Sequence, residues 1–91
     1  MTNNPFSELQ KKLEESIKSF PYVYLFKFIV KADNKSIALV QVMFGNDAEI
    51  FQKQSSKGNY ISLSVKQVVL SVDEIISVYK KAAEIEGVIT L

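Results

Sequence analysis

The stretch Tyr22–Lys31 (Tyr-Val-Tyr-Leu-Phe-Lys-Phe-Ile-Val-Lys) constrains the fold more than any other part of the chain. It is dense in aromatic and β-branched side chains, which suit a pleated surface and crowd a helix. A period of two splits it cleanly. Tyr24, Phe26, Phe28 and Val30 fall on one face, which carries no charge and must be buried. Val23, Leu25 and Ile29 share the other face with Lys27 and Lys31. That second face can meet water, yet it leaves apolar surface to be covered. Such a strand belongs inside a sheet, with a helix layer over its uncharged side.

The flanking patterns supply the other elements. Phe6, Leu9, Leu13, Ile17 and Phe20 form one apolar stripe and predict an amphipathic helix over residues 6–19. Asn4 is its N-cap, Pro5 its first residue, and Pro21 stops it. Residues 37–44 are apolar nearly all round and by composition could be a buried strand. Asp33 as an N-cap and Gly45 as the C′ residue make 33–44 a helix instead. A helix so apolar must be covered on more than one side.

Residues 49–55 read as a polar strand with Glu49, Gln52, Lys53 and Gln54, and 60–70 as a longer one. In the latter Ile61, Leu63, Val65 and Val69 point inward, while Tyr60, Ser62, Ser64 and Lys66 point away. The turn at 56–59 needs a positive φ, which Gly58 supplies. Ser71-Val72-Asp73-Glu74 has the form of a capping box. The helix it opens buries Val72, Ile75, Ile76, Tyr79, Ala82, Ala83 and Ile85 and ends at Gly87, before a short strand at 88–91.

The order is one helix, then β-α-β-β-α-β. This predicts an α+β chain: a ferredoxin-like two-layer sandwich with an extra N-terminal helix. The first and third strands should be central, and the polar second and very short fourth should lie at the edges. Residues 1–19 form a tail and amphipathic helix, and residues 20–91 the sandwich. Both core helices then cover one sheet face and leave the other bare. The N-terminal stripe is expected to pack on or beside that bare face, in its own subunit or in a partner's. Phe6, Leu9, Leu13, Ile17, Val23, Leu25 and Ile29 are accordingly the interface candidates.

The residues that carry chemistry are few. The chain has no Cys, His, Trp or Arg. Thiol and imidazole catalysis, disulfides, zinc sites with N/S ligands and bidentate Arg clamps are thereby excluded. Asp47 and Glu49 flank a turn but lack a third ligand, so neither a metal nor a cofactor is expected. There is no nucleophile elbow, Gly-rich phosphate loop or Ser–Lys signature, and the expectation is a protein that is not an enzyme. The longest nearly uninterrupted apolar run, 37–44, is far below the ~20 residues of a membrane span. No membrane partner is expected, and a cytoplasmic location is the default.

Ser55-Ser56-Lys57-Gly58-Asn59-Tyr60 is the most distinctive segment. Its two hydroxyls, ammonium and turn N–H groups could hold an anion or a small ligand. The same residues also make an ordinary hairpin turn. The RNA-recognition motif shares the topology, but here Asn59 and Ile61 stand where its stacking aromatics belong. With no Arg and a net charge of +1, nucleic-acid binding is not expected.

The same six residues, the terminal Val88-Ile89-Thr90-Leu91, and Tyr24 through Lys27 together resemble the YbeD-like family of small bacterial proteins of unknown function. The resemblance covers most of residues 20–91. Helix 6–19 is longer than in the type member. The resemblance implies a ferredoxin-like fold similar to ACT domains, the amino-acid-sensing modules of metabolic enzymes. It further implies a cytoplasmic protein with a regulatory role, one tied in some cases to lipoate metabolism. It supplies no catalytic residues. ACT sites often use a Gly-containing loop after the first strand. Here that loop is Lys31-Ala32-Asp33-Asn34, with no Gly and an acid, which counts against an amino-acid carboxylate there.

Two functions are therefore expected. The first is a regulatory or adaptor module acting by protein contact, as a homo-oligomer or on an unknown protein partner. The second is an ACT-like sensor of a small-molecule effector, an amino acid or a lipoate-related compound, held at a subunit interface.

Overall fold

The computed structural model describes residues 6–55 and 57–91. Its elements are α1 (Ser7–Ser16), β1 (Tyr22–Lys31), α2 (Asn34–Gln41), β2 (Glu49–Gln54), β3 (Tyr60–Val69), α3 (Val72–Ala83) and β4 (Ile89–Thr90). The strands form one antiparallel sheet in the order β2-β3-β1-β4. The sandwich is ferredoxin-like: the two long apolar strands are central, and the polar β2 and two-residue β4 are the edges. The β1–β3 ladder runs without interruption from Tyr22 opposite Val69 to Lys31 opposite Tyr60.

The core lies between one sheet face and the helices. Phe26, Phe28 and Val30 of β1 and Leu63 and Val65 of β3 are fully buried there, with Ile75 and Ala82 of α3. Phe26 and Phe28 stack with centroids 6.3 Å apart, and Phe44 closes on both at 5.4 and 6.1 Å. Such aromatic pairs add to the burial of apolar area, the main driving force of the fold. Tyr79 packs edge-on to Phe26 at 5.6 Å, and its hydroxyl shares a 2.9 Å hydrogen bond with that of Tyr24.

The N-terminal helix is shorter than its stripe and sits elsewhere than expected. Asn4 and Pro5 lie outside the described residues; the helix starts at Ser7 and ends at Ser16. Ile17 is already extended, so Ile17 and Phe20 reach inward from the segment that leads to β1. The helix packs against α3, not on the bare sheet face. Leu13 and Ile17 are buried in the chain's own core, with Phe6, Leu9 and Phe20 packed against it. The physical reason is chemical matching: the seam beside α3 is apolar, whereas the bare face displays lysines that an apolar stripe would desolvate.

The ambiguous segment is a helix, as its cap residue suggests. The Asp33 carboxylate accepts from the Ser36 N–H at 2.7 Å. The expected cover and terminator are both absent. Only Val40 of α2 is buried, while Val42 just after it is 76% exposed and Leu39 is also exposed. The sheet presents one apolar face, and α2 packs on it chiefly against β1, so its other sides stay open. Gly45 does not take a positive φ, and the helix ends earlier, at Gln41.

At α3 the Ser71 hydroxyl accepts from the Glu74 N–H at 3.2 Å. The Glu74 carboxylate reaches back one residue further than a standard capping box, accepting from the Leu70 N–H. This helix ends at Ala83, four residues before Gly87. Ala83 is exposed rather than buried, and Gly87 (φ +83°) serves the turn into β4.

Candidate functional site

The 55–60 segment is first of all a closed hairpin turn. The Ser55 N–H donates to the Tyr60 carbonyl at 2.9 Å, and the Gly58 N–H donates to the Ser55 carbonyl at 3.0 Å. The Tyr60 N–H donates to the Ser55 hydroxyl at 3.2 Å. Asn59 is tied in through its carbonyl, which accepts from the Ala32 N–H at 3.1 Å. Gly58 has φ +73°, the left-handed conformation that the turn demands, and a Cβ there would stand 3.1 Å from the Gln54 amide nitrogen. The N–H groups of Gly58 and Tyr60 and the Ser55 hydroxyl are thus engaged within the turn. Lys57 is exposed; Ser56 lies outside the described residues. Ser55 and Tyr60 also line a shallow groove on the bare sheet face with Ile29, Lys53, Gln54 and Ser62.

That face is assembled by strand register. Residues directly opposite in antiparallel strands share a face. Leu25 therefore lies beside Lys66, Lys27 beside Ser64, Ile29 beside Ser62, and Val23 beside Val68. β2 adds Glu49 next to Lys66, Phe51 next to Ser64, and Lys53 next to Ser62. β4 adds Ile89 beside Ile29, and the Leu91 N–H continues the ladder onto the Lys27 carbonyl at 2.9 Å. Of the sequence-derived interface candidates, Val23, Leu25 and Ile29 come together here. Phe6, Leu9, Leu13 and Ile17 are set apart on the α3 side.

Sequence reasoning missed Phe51, Val68, Ile89 and Leu91 as members of this face. Val23 is 59% exposed and Phe51 51%, and Leu25, Tyr60, Val68, Ile89 and Leu91 are exposed as well. The parity of 49–54 contains the signal for Phe51. It is readable only once Ile50 is known to stand opposite the buried Val65. The Lys66 ammonium lies 5.8 Å from the Phe51 ring centroid, a cation–π distance.

Other polar groups have structural duties. Burial, and then the hydrogen bond with Tyr24, pushes the Tyr79 phenol well above its usual range. The bond from the Ser36 N–H holds the Asp33 carboxyl below its usual value. The Gln67 amide nitrogen donates to the Asp47 carboxylate at 3.1 Å and to the Val68 carbonyl at 3.2 Å. Its oxygen is buried with no partner among the described residues. No three acidic, His or Cys groups among the described residues converge as metal ligands. No helix among them is long and apolar enough to cross a membrane.

The family model described as "Protein of unknown function (DUF493)" matches residues 15–91. A UPF0250 protein of Shewanella oneidensis is 34% identical over 92 residues, which span 97% of this chain and 96% of the relative. One from Shewanella baltica is 36% identical over 84 residues, covering 88% of this chain and 94% of the relative. No solved structure matches. With the matched region taking in every strand and both core helices, the chain belongs to the YbeD-like DUF493 (UPF0250) family of small bacterial proteins of unknown function.

Proposed function

We propose that the protein is a non-catalytic regulatory or adaptor module that works by protein contact through the bare face of its sheet. The observation that carries this reading is the exposure on one face of Val23, Leu25, Phe51, Tyr60, Val68, Ile89 and Leu91. Apolar patches of this kind on small domains mark contact surfaces. Cytoplasmic residence belongs to the same reading. Self-association also belongs to it, and the exposed Leu39 of α2 and Val42 just after it offer copies a second apolar place to meet.

A photo-crosslinking amino acid placed at Phe51, and separately at Lys80 on exposed α3 surface, tests the reading in the protein's own cells. Discrete protein adducts from position 51 and none from position 80 are expected. The reverse pattern would remove the bare face from the account.

The groove beside Ile29, Lys53 and Tyr60 favours a second reading, a sensor of a small carboxylate effector with its apolar part on Ile29. A rise in melting temperature with an amino acid or a lipoate-related acid, lost in Lys53→Ala, would support it. A flat screen would set it aside.

A further inference from the structure

Strand register puts lysines among the apolar residues of the bare face in a checkered order. Phe51 and Lys27 flank Ser64 in one row; Lys53 and Ile29 flank Ser62 in the next. Glu49 stands opposite Lys66, and Lys31 at the end of β1 has Asp33 close by, which leaves Lys27 and Lys53 as a positive excess on this face. The whole chain balances 11 lysines against 10 acidic residues, so the excess is local. Its counterpart is milder: α1 and α3 with the turn after it carry seven acids against Lys11, Lys12, Lys80 and Lys81.

We propose that the bare face docks an acidic amphipathic segment of another protein, its apolar side chains against Leu25, Ile29 and Phe51 and its carboxylates on Lys27 and Lys53. The proposal rests on the reading of that face as a contact surface. Charge complementarity selects the occupant. A second copy laid face to face would bring the same positive excess from both sides, and like charges brought together across an interface oppose association. A nucleic acid needs stacking platforms, but the face is mainly aliphatic, and the ring of Phe51 already has Lys66 over it. An anionic membrane could attract the lysines. Yet Lys27 stands on a central strand between Leu25 and Ile29, so immersing those aliphatics would carry its ammonium toward hydrocarbon. A protein segment can offer a carboxylate and an apolar side chain at neighbouring positions, which fits the checkered order.

The full-length ¹⁵N-labelled protein would be titrated with two synthetic peptides of about 18 residues, long enough for several helical turns. They share one leucine stripe at helical spacing and carry either glutamate or lysine elsewhere. The glutamate peptide is expected to bind at least ~10-fold more tightly, and to weaken as added salt screens the lysines. It should shift the amides of Leu25, Lys27, Ile29, Phe51 and Lys53. The Lys27→Glu/Lys53→Glu variant, its fold checked by the dispersion of the same spectrum, should reverse the preference. Equal affinity of the two peptides for these residues would overturn the acidic partner and leave the face a docking surface. No binding by either peptide up to millimolar concentration would also overturn the acidic partner. Shifts confined to α1 and α3 would overturn both readings. Tighter binding of phosphatidylglycerol vesicles or of an oligothymidylate than of the glutamate peptide would hand the face to another class of partner and overturn the proposal.

Discussion

Leu25 and Phe26 are adjacent in β1 and have opposite fates. Phe26 is fully buried under the helices, and Leu25 is exposed on the bare face. The same contrast runs through β3, where Val65 is buried and Val68 exposed. Residue type does not separate the two sets, since both contain large apolar side chains. What separates them is the side of the sheet on which the helix layer sits, and the lysines mark the other side. The core face is finished within the chain; the bare face retains apolar surface with charge placed through it, as contact surfaces do.

The largest effect is expected at the core. Phe26→Ala should cost about 3–5 kcal/mol of stability, the range for a buried aromatic, read as a drop in urea midpoint. Leu25→Ala beside it should change that midpoint little. A large loss from Leu25→Ala would mean that the bare face is closed by something within the folded chain.

Gly58→Val comes next, at about 1–3 kcal/mol, because a β-branched residue is forced into the left-handed region. Lys57→Ala in the same turn should be near neutral for the urea midpoint. Equal effects from the two would undo the assignment of the turn as structural rather than ligand-binding.

Tyr79→Phe should cost about 0.5–1.5 kcal/mol, the net worth of one hydrogen bond. It should also change the alkaline limb of stability. The folded-state pKa of this phenol is raised, so its contribution is complete below the ordinary tyrosine value near 10 and is lost as pH rises beyond it. The wild-type urea midpoint should fall above that pH, and less steeply in Tyr79→Phe. At the acid end the sign is opposite. The Asp33 carboxyl is lowered, so its stabilisation is present above about pH 4 and fades as pH falls further. Asp33→Asn should flatten that small acid limb.

Much of this architecture was legible because local signals agreed. Period-two alternation fixed the two faces of β1 and β3, Gly58 announced its φ, and Ser71 and Asp33 announced their helices. The ends of the helices were less legible. Val42 and Ile85 continue an apolar pattern past the last helical turn, and a glycine further on drew each boundary outward. The place of α1 depended on which surface would accept an uncharged stripe, a tertiary choice that no spacing within residues 6–20 encodes. The bare face was half visible for a related reason. Val23, Leu25 and Ile29 follow from alternation within one strand, whereas Phe51 and Ile89 join them only through strand register.

One variant reads stability and contact together. Leu25→Asp/Val68→Asp places two acids on the bare face without touching the buried set. The urea midpoint should stay close to wild type, and crosslinks from position 51 in cells should disappear. Adducts that persist unchanged, or a protein that no longer folds, would contradict the division of the sheet into a core face and a contact face.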